Sequence, residues 1–200
     1  MKKTAWYDTN NLPIDMVNGA LCNKPGWDKI EHSDHFSDLD HLVKLSNPTT
    51  VADMGCGAGE LGRVYPQYKY TGFDLPHIIE KVGKVVNNTL NYIEYEAYDF
   101  DYKKLKDFDL IICNSFISEL SQPLKVLGEI VNNSQGDIIL HRQYFDTTTH
   151  LVNYTTYAGL QTPRSIIGYD DFDSLLVNHE IIKKLDGPCG TSILIRKNKK

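Results

Sequence analysis

At 200 residues the chain is long enough for one domain with a sizeable core and short for two. Hydrophobic residues at 41% and charged residues at 24% exclude disordered, collagenous and membrane-spanning compositions. The formal net charge of −5 is spread along the chain, and its only dense basic run, Arg196 to Lys200, reads as a solvated tail, so nucleic acid is not expected as a partner.

Cys22, Cys56, Cys113 and Cys189 are widely spaced, with no C-x-x-C pair and no Cys/His cluster at zinc spacing. They read as reduced thiols of a cytoplasmic protein. The first residues carry two lysines but no apolar stretch behind them, so neither a leader nor a membrane segment is expected.

From Met1 to about Ser33 the chain mixes Pro, Gly, Asn and aromatics without a period, which suggests an irregular arm. Ser37 to Ser46 then reads as a short amphipathic helix, with Ser37 as N-cap and Leu39, Leu42 and Val43 on one face. The strand-like run ending at Asp53 leads into a glycine-rich loop, and another run ends near Asp74. A helical segment follows, with Ile78, Ile79, Val82, Val85 and Val86 at helical spacing. Next come the strand-like Asn91 to Phe100, the continuous apolar run around Leu110 to Asn114, a helix from Gln122 to about Asn132, and the strand Gly136 to His141. Strands separated by helix-length segments imply crossover connections and a mostly parallel sheet covered on both faces. Thr162 to Ile182 reads as a loop, a helix and a strand. The last stretch is two strands around the turn Gly187-Pro188-Cys189-Gly190, too short for a crossover, so an antiparallel hairpin finishes the sheet.

The stretch Val51 to Gly62, VADMGCGAGELG, can be read as G-x-G-x-x-G on Gly57, Gly59 and Gly62, or as G-x-G-x-G on Gly55, Gly57 and Gly59. No G-K-[ST] follows, which excludes a triphosphate P-loop on pattern. Asp53 stands two residues before the first glycine, where it would repel a pyrophosphate and attract an ammonium or sulfonium centre. Gly62 reads better as a close-packing residue than as a ligand contact. Cys56 and Cys113 read as small fillers.

With that loop behind an apolar strand and an acid, and with a final antiparallel hairpin, the region from about Val51 to Lys197 resembles the class I, Rossmann-like methyltransferases. The resemblance implies a doubly wound, mostly parallel seven-stranded sheet and S-adenosylmethionine as cofactor, with S-adenosylhomocysteine as product. It implies that Asp53, Gly55, Cys56, Gly57 and Gly59 hold the methionine part, with Asp74 and Leu75 at the ribose. Asp99 and Phe100 are implied at the adenine, and Asn114 between methyl donor and acceptor. On the residues alone, Asp74 also fits a helix cap and Asp99 a turn former.

Chemistry in an open parallel sheet takes place beyond the carboxyl ends of the strands. That selects Asn114, Ser115, Ser118 and Glu119 after the fourth strand, and His141, Arg142, Tyr144 and Asp146 after the fifth. His141 is the first candidate for a general base, because an imidazole titrates near neutrality, with a structural histidine as the alternative. Glu119 is either a base or a cap of the next helix. His32, His35 and His41 are not at metal-ligand spacing, and no metal is expected.

The chain has no Asn/Asp-Pro-Pro-Tyr type of motif after its fourth strand, which argues against methylation of base nitrogens. Thr162 to Ile182 is similar to methyltransferases linked to surface-polysaccharide synthesis. The expectation is therefore a single structural domain, with residues 1–46 as an arm and helix covering the active site and 47–200 as the S-adenosylmethionine-binding part. Its expected acceptor is a small molecule, methylated at oxygen, of the sugar or surface-polysaccharide precursor kind. The arm Trp6 to Phe36 and the insert Thr147 to Gly168 are the expected acceptor pocket or lid. A Rossmann oxidoreductase using NAD(P), and a silent module that keeps the fold without turnover, are the alternatives.

Overall fold

The computed structural model describes residues 13, 14, 16, 17, 30–146, 151–157 and 160–198. The strands are β1 Thr50–Met54, β2 Lys69–Asp74, β3 Asn91–Glu94, β4 Leu110–Asn114, β5 Asp137–Gln143, β6 Phe145–Asp146, β7 Leu151–Tyr157, β8 Leu160–Gly168, β9 His179–Gly187 and β10 Gly190–Lys197. The helices are α1 Phe36–Ser46, α2 Glu60–Val64, the run α3 over 76–86, α4 Pro123–Asn133 and α5 Tyr169–Leu175.

A seven-stranded sheet has the order β3-β2-β1-β4-β5-β10-β9. β1 to β5 are parallel, and β10 runs antiparallel between β5 and β9, as the short final turn requires. The order reverses at β1, so a crevice opens between the carboxyl ends of β1 and β4.

Alternation along the strands sorts the core into two layers. Ala52, Met54, Ile111, Cys113, Ile138 and Leu140 face one way and pack with Val126, Leu127, Ile130 and Val131 of α4. Val51, Leu110, Ile112, Ile139 and Leu194 face the other way and pack with Leu39, Leu42 and Val43 of α1. Each fully buried aliphatic side chain contributes about 1.5–3 kcal/mol. By the same alternation Asp53, Asn114 and His141, each two residues beyond a member of the second layer, lie on the α1 side at the carboxyl end of the sheet.

Three expectations are corrected. The first long helix starts at Phe36 with His35 in the N-cap position and no side-chain cap, so Ser37 is inside it. The strand-like run from Asn91 stops at Glu94, and Tyr95 to Phe100 turns away. Thr162 to Gly168 is not a loop; it belongs to β8, the middle strand of a second sheet of order β6-β8-β7. Pro163 hid that strand. β6 reaches only Ile167 and Gly168, so at Pro163 β8 has one neighbour, Tyr154 of β7, and tolerates the missing N–H. Most of the arm, residues 147–150, Cys22 and the end of the basic tail lie outside the described residues.

Candidate cofactor and acceptor site

The loop after β1 resolves the two glycine readings. Gly55, Gly57 and Gly59 all have left-handed backbone, at φ 73°, 53° and 74°, while Gly62 does not. The G-x-G-x-G reading therefore describes the turn, since an L side chain is strained at each of those positions. The amides of Gly55 and Cys56 donate to Phe73 O, at 2.8 and 3.1 Å, and Gly59 N donates to Cys56 O at 2.9 Å. Asn87 Nδ2 donates to Ala58 O at 2.6 Å. A methyl group on Gly59 would lie 2.5 Å from the Tyr92 hydroxyl, and one on Gly55 2.7 Å from the Phe116 ring. Above Gly57 the nearest atom is the Met16 Cε, the end of a flexible side chain. Among the described residues, Met16 alone stands over the backbone at Gly57 on that side. Gly62 meets Tyr70 and Leu90 at 2.7 and 2.8 Å, which makes it a packing residue.

Two acids border this loop. Asp74, ending β2, accepts from Gly57 N and Leu75 N, each at 2.7 Å, one on each carboxylate oxygen. Each oxygen keeps a free lone pair, as an acceptor of ribose hydroxyls must. Helix α3 begins without a side-chain cap, so Asp74 does not cap it. Burial raises Asp74 to about 6 against those two amide bonds. Asp53 is 3% exposed and accepts from the Tyr70 hydroxyl at 2.7 Å. Burial raises it to about 7, Tyr70 works against that, and Asp74 adds to it. Its carboxyl is thus enclosed by the protein and engaged by Tyr70. The Cys56 side chain also turns inward, against Gly72, and burial pushes its thiol up. Leu75 packs with Met16, Ile78 and Val82.

Asp99 stands exposed in the turn after β3, its amide bonded to Glu96 O at 2.9 Å. Phe100 is half-buried against the core, where it meets Phe73, Tyr95 and Tyr102 edge-on with ring centroids 5.8, 4.9 and 5.3 Å away.

At the carboxyl ends of β4 and β5, Asn114 lies beside His141 in register. Asn114 Oδ1 is buried without a hydrogen-bond partner among the described residues. His141 is corrected as a base. It is 0% exposed, Nδ1 lies 2.8 Å from Ser192 Oγ, and Nε2 lies 3.0 Å from His35 Nδ1. Burial, then His35 and Arg142, lower it to about 3, and burial with Arg142 lowers His35 to about 4. Both imidazoles are neutral near pH 7 and bonded to each other, and His141 is closed to a substrate proton. His35 is a residue that sequence reasoning missed, because its partner lies 106 positions away.

Glu119 is the titratable group left for proton transfer. It lies in the turn Ile117–Glu119, half-buried, with its carboxyl raised to about 7 by burial against the pull of Arg164 and Arg142. Gln143 fixes that turn: its Oε1 accepts from Ser118 N at 2.9 Å, while its Nε2 donates to Cys113 O and His141 O at 3.0 and 2.8 Å. Nothing along the chain points to Gln143 or Arg164, and only its position after the fifth strand points to Arg142.

Comparison with known proteins agrees with this geometry. The family model of the O-methyltransferase domain matches residues 33–145. The thiol S-methyltransferase TMT1B of Rattus norvegicus is 30% identical over 102 residues, covering 48% of this chain and 42% of that protein, so the chain matches less than half the length of this curated relative. DesVI of Streptomyces venezuelae has the same fold at TM-score 0.66 and 11% identity, over 92% of this chain and 98% of that one. An amino pentose methyltransferase from Micromonospora echinaspora, solved with S-adenosylmethionine bound, matches at TM-score 0.61 and 11% identity over 84% and 94%. The left-handed glycine loop, the paired acid at the end of β2 and the unpartnered Asn114 fit that cofactor. By the family match over more than half of its length, the chain belongs to the O-methyltransferase domain family of S-adenosylmethionine-dependent methyltransferases.

Proposed function

We propose that the chain transfers a methyl group from S-adenosylmethionine to a hydroxyl oxygen of a small molecule, with a sugar or surface-polysaccharide precursor as the acceptor kind. The observation that carries this reading is the loop Gly55 to Gly59, tied by Gly57 to Asp74 and opening at the point where the strand order reverses. The family description supports oxygen as the accepting atom, and the named amino pentose enzyme supports a sugar.

In this reading the backbone around Gly57 holds the methionine part and Asp74 the ribose, while Asp53 with Tyr70 supports the loop from below. The bound cofactor supplies a methyl group on a sulfonium, which is displaced in line with a neutral thioether as leaving group. The protein's task is alignment and exclusion of water. Asn114 Oδ1 accepts a hydrogen bond from whichever donor enters, and Glu119 takes the proton that the hydroxyl releases. Residues 1–46 serve as the covering arm and 47–200 as the cofactor-binding part; Met16 against Gly57 supports that division. Buried, free Cys56 and Cys113 suit a reducing, cytoplasmic setting. Among the described residues no helix is long and apolar enough to cross a membrane.

The test is parallel calorimetric titration with S-adenosylmethionine, S-adenosylhomocysteine and NADH. Binding of the first two alone is expected; binding of NADH alone would replace this reading with the oxidoreductase.

A further inference from the structure

The ends of β4 and β5 carry two non-glycine residues with left-handed backbone, Ser115 at φ 51° and Arg142 at φ 57°. Such conformations cost about 1–3 kcal/mol each and persist where the surroundings over-determine them. Here Ser115 N donates to His141 O at 2.9 Å, which locks one turn to the other. Arg142 takes up this conformation next to the last residue of β5. Its charge acts on His35 and His141 on one side and on Glu119 on the other.

The Arg142 side chain has no hydrogen-bond or ion-pair partner there among the described residues. Its Nε is buried without a hydrogen-bond acceptor among the described residues, and it forms no ion pair among them. A buried guanidinium N–H without an acceptor is an unfavourable state that a ligand oxygen relieves. The nearby polar side chains are committed elsewhere: His35 to His141, and Gln143 to Ser118, Cys113 and His141.

A second guanidinium comes from β8. Ser165 Oγ donates to Leu120 O at 2.7 Å, which pins β8 against the turn that bears Glu119. Arg164, the preceding residue, is exposed, lies 4.5 Å over the Tyr144 ring, and donates to the Tyr144 hydroxyl. The contacts of Gln143 with Ser118, of Ser165 with Leu120 and of Arg164 with Tyr144 thus gather the segments that bear Arg142, Arg164 and Glu119 at one corner, with two cationic residues in a chain of net charge −5.

We propose that the methyl acceptor carries an oxyanion, a carboxylate or a phosphate, which Arg142 and Arg164 bind so that its hydroxyl lies toward Glu119 and Asn114. A planar guanidinium matches either oxyanion through paired N–H donors, and a neutral acceptor would leave Arg142 desolvated and unpaired. This inference rests on the methyltransferase reading, but its test does not depend on it.

The full chain, loaded with S-adenosylhomocysteine, is titrated with benzoate, inorganic phosphate and neutral benzamide. Binding of at least one anion and none of benzamide is expected, weakened about tenfold or more in Arg142→Gln and in Arg164→Gln, and unchanged in Lys183→Gln. Arg142→Lys should restore part of the affinity. Preference between benzoate and phosphate identifies the oxyanion. Absence of anion binding, or equal binding in Arg164→Gln and any folded Arg142→Gln, overturns the proposal. The same titrations on the cofactor-free chain read the arginine pair separately, so a failure to bind S-adenosylhomocysteine sinks the methyltransferase reading without deciding this one.

Discussion

At the residue scale, two groups that both looked capable of proton transfer are separated by their surroundings. His141 is enclosed and hydrogen-bonded through both ring nitrogens, whereas Glu119 is half-buried with its carboxyl near neutrality. Glu119→Gln should lower the methyl-transfer rate about 100-fold with cofactor affinity unchanged. In the wild type the rate should rise with pH through about 7 as the carboxyl ionises, and this inflection should vanish in the variant; a retained inflection would assign the proton elsewhere. His141→Ala should instead cost about 2–4 kcal/mol in denaturant unfolding, because it empties a buried site, leaves Ser192 unpaired in the interior and removes the partner of His35, with little change in rate per folded molecule. Asp74→Ala should weaken S-adenosylmethionine binding by about tenfold or more in calorimetry, since it removes both the proposed ribose acceptor and the anchor of Gly57. The place of Asp74 at the end of β2 and the left-handed turns of the three loop glycines were legible because strand-end position and backbone conformation are local properties. The burial of His141 was not, because it depends on His35 and Ser192, distant in sequence.

At the scale of elements, the glycine loop and the helix after it divide the labour among their glycines. Gly55, Gly57 and Gly59 supply left-handed turns, while Gly62 lets α2 approach Tyr70 of β2 and Leu90. Gly62→Ala should therefore destabilise the fold by about 1–3 kcal/mol through overpacking and leave S-adenosylmethionine affinity unaltered. Paired thermal melts and titrations check this; a loss of affinity without loss of stability would return Gly62 to the ligand. The helical run over 76–86 contains a π segment, Ile79–Gly83, just where Tyr92 donates to Gly83 O. Apolar spacing foretold the helix but not that widening, since periodicity is blind to a side chain entering from another strand. Likewise β8 was hidden by Pro163, whose missing N–H is harmless only because β6 stops short of it.

At the scale of the whole molecule, the pair His35–His141 joins the start of α1 to the end of β5, and it makes stability depend on pH. Both rings titrate below the ordinary histidine value, at about 4 and about 3, so between about 6.5 and those values the unfolded chain binds more protons. Their contribution is complete above about pH 6.5 and is lost as pH falls through the folded values. Asp53, Asp74 and Glu119, all raised, act in the opposite sense over neighbouring pH values. The difference between wild type and His141→Gln isolates the pair: it should be larger at pH 7.5 than at pH 4.5 in denaturant melts, and a constant difference would deny the coupling. The sequence by itself determined the seven-stranded sheet, its antiparallel end and the glycine loop, because alternation, turn length and glycine spacing act over a few residues. Only the tertiary structure decided that His141 is sealed, that Phe100 packs edge-on against Tyr95, and that Arg142 Nε is buried without a partner among the described residues. Burial and charge environment are set by the neighbours that folding brings together, and no spacing along the chain encodes them.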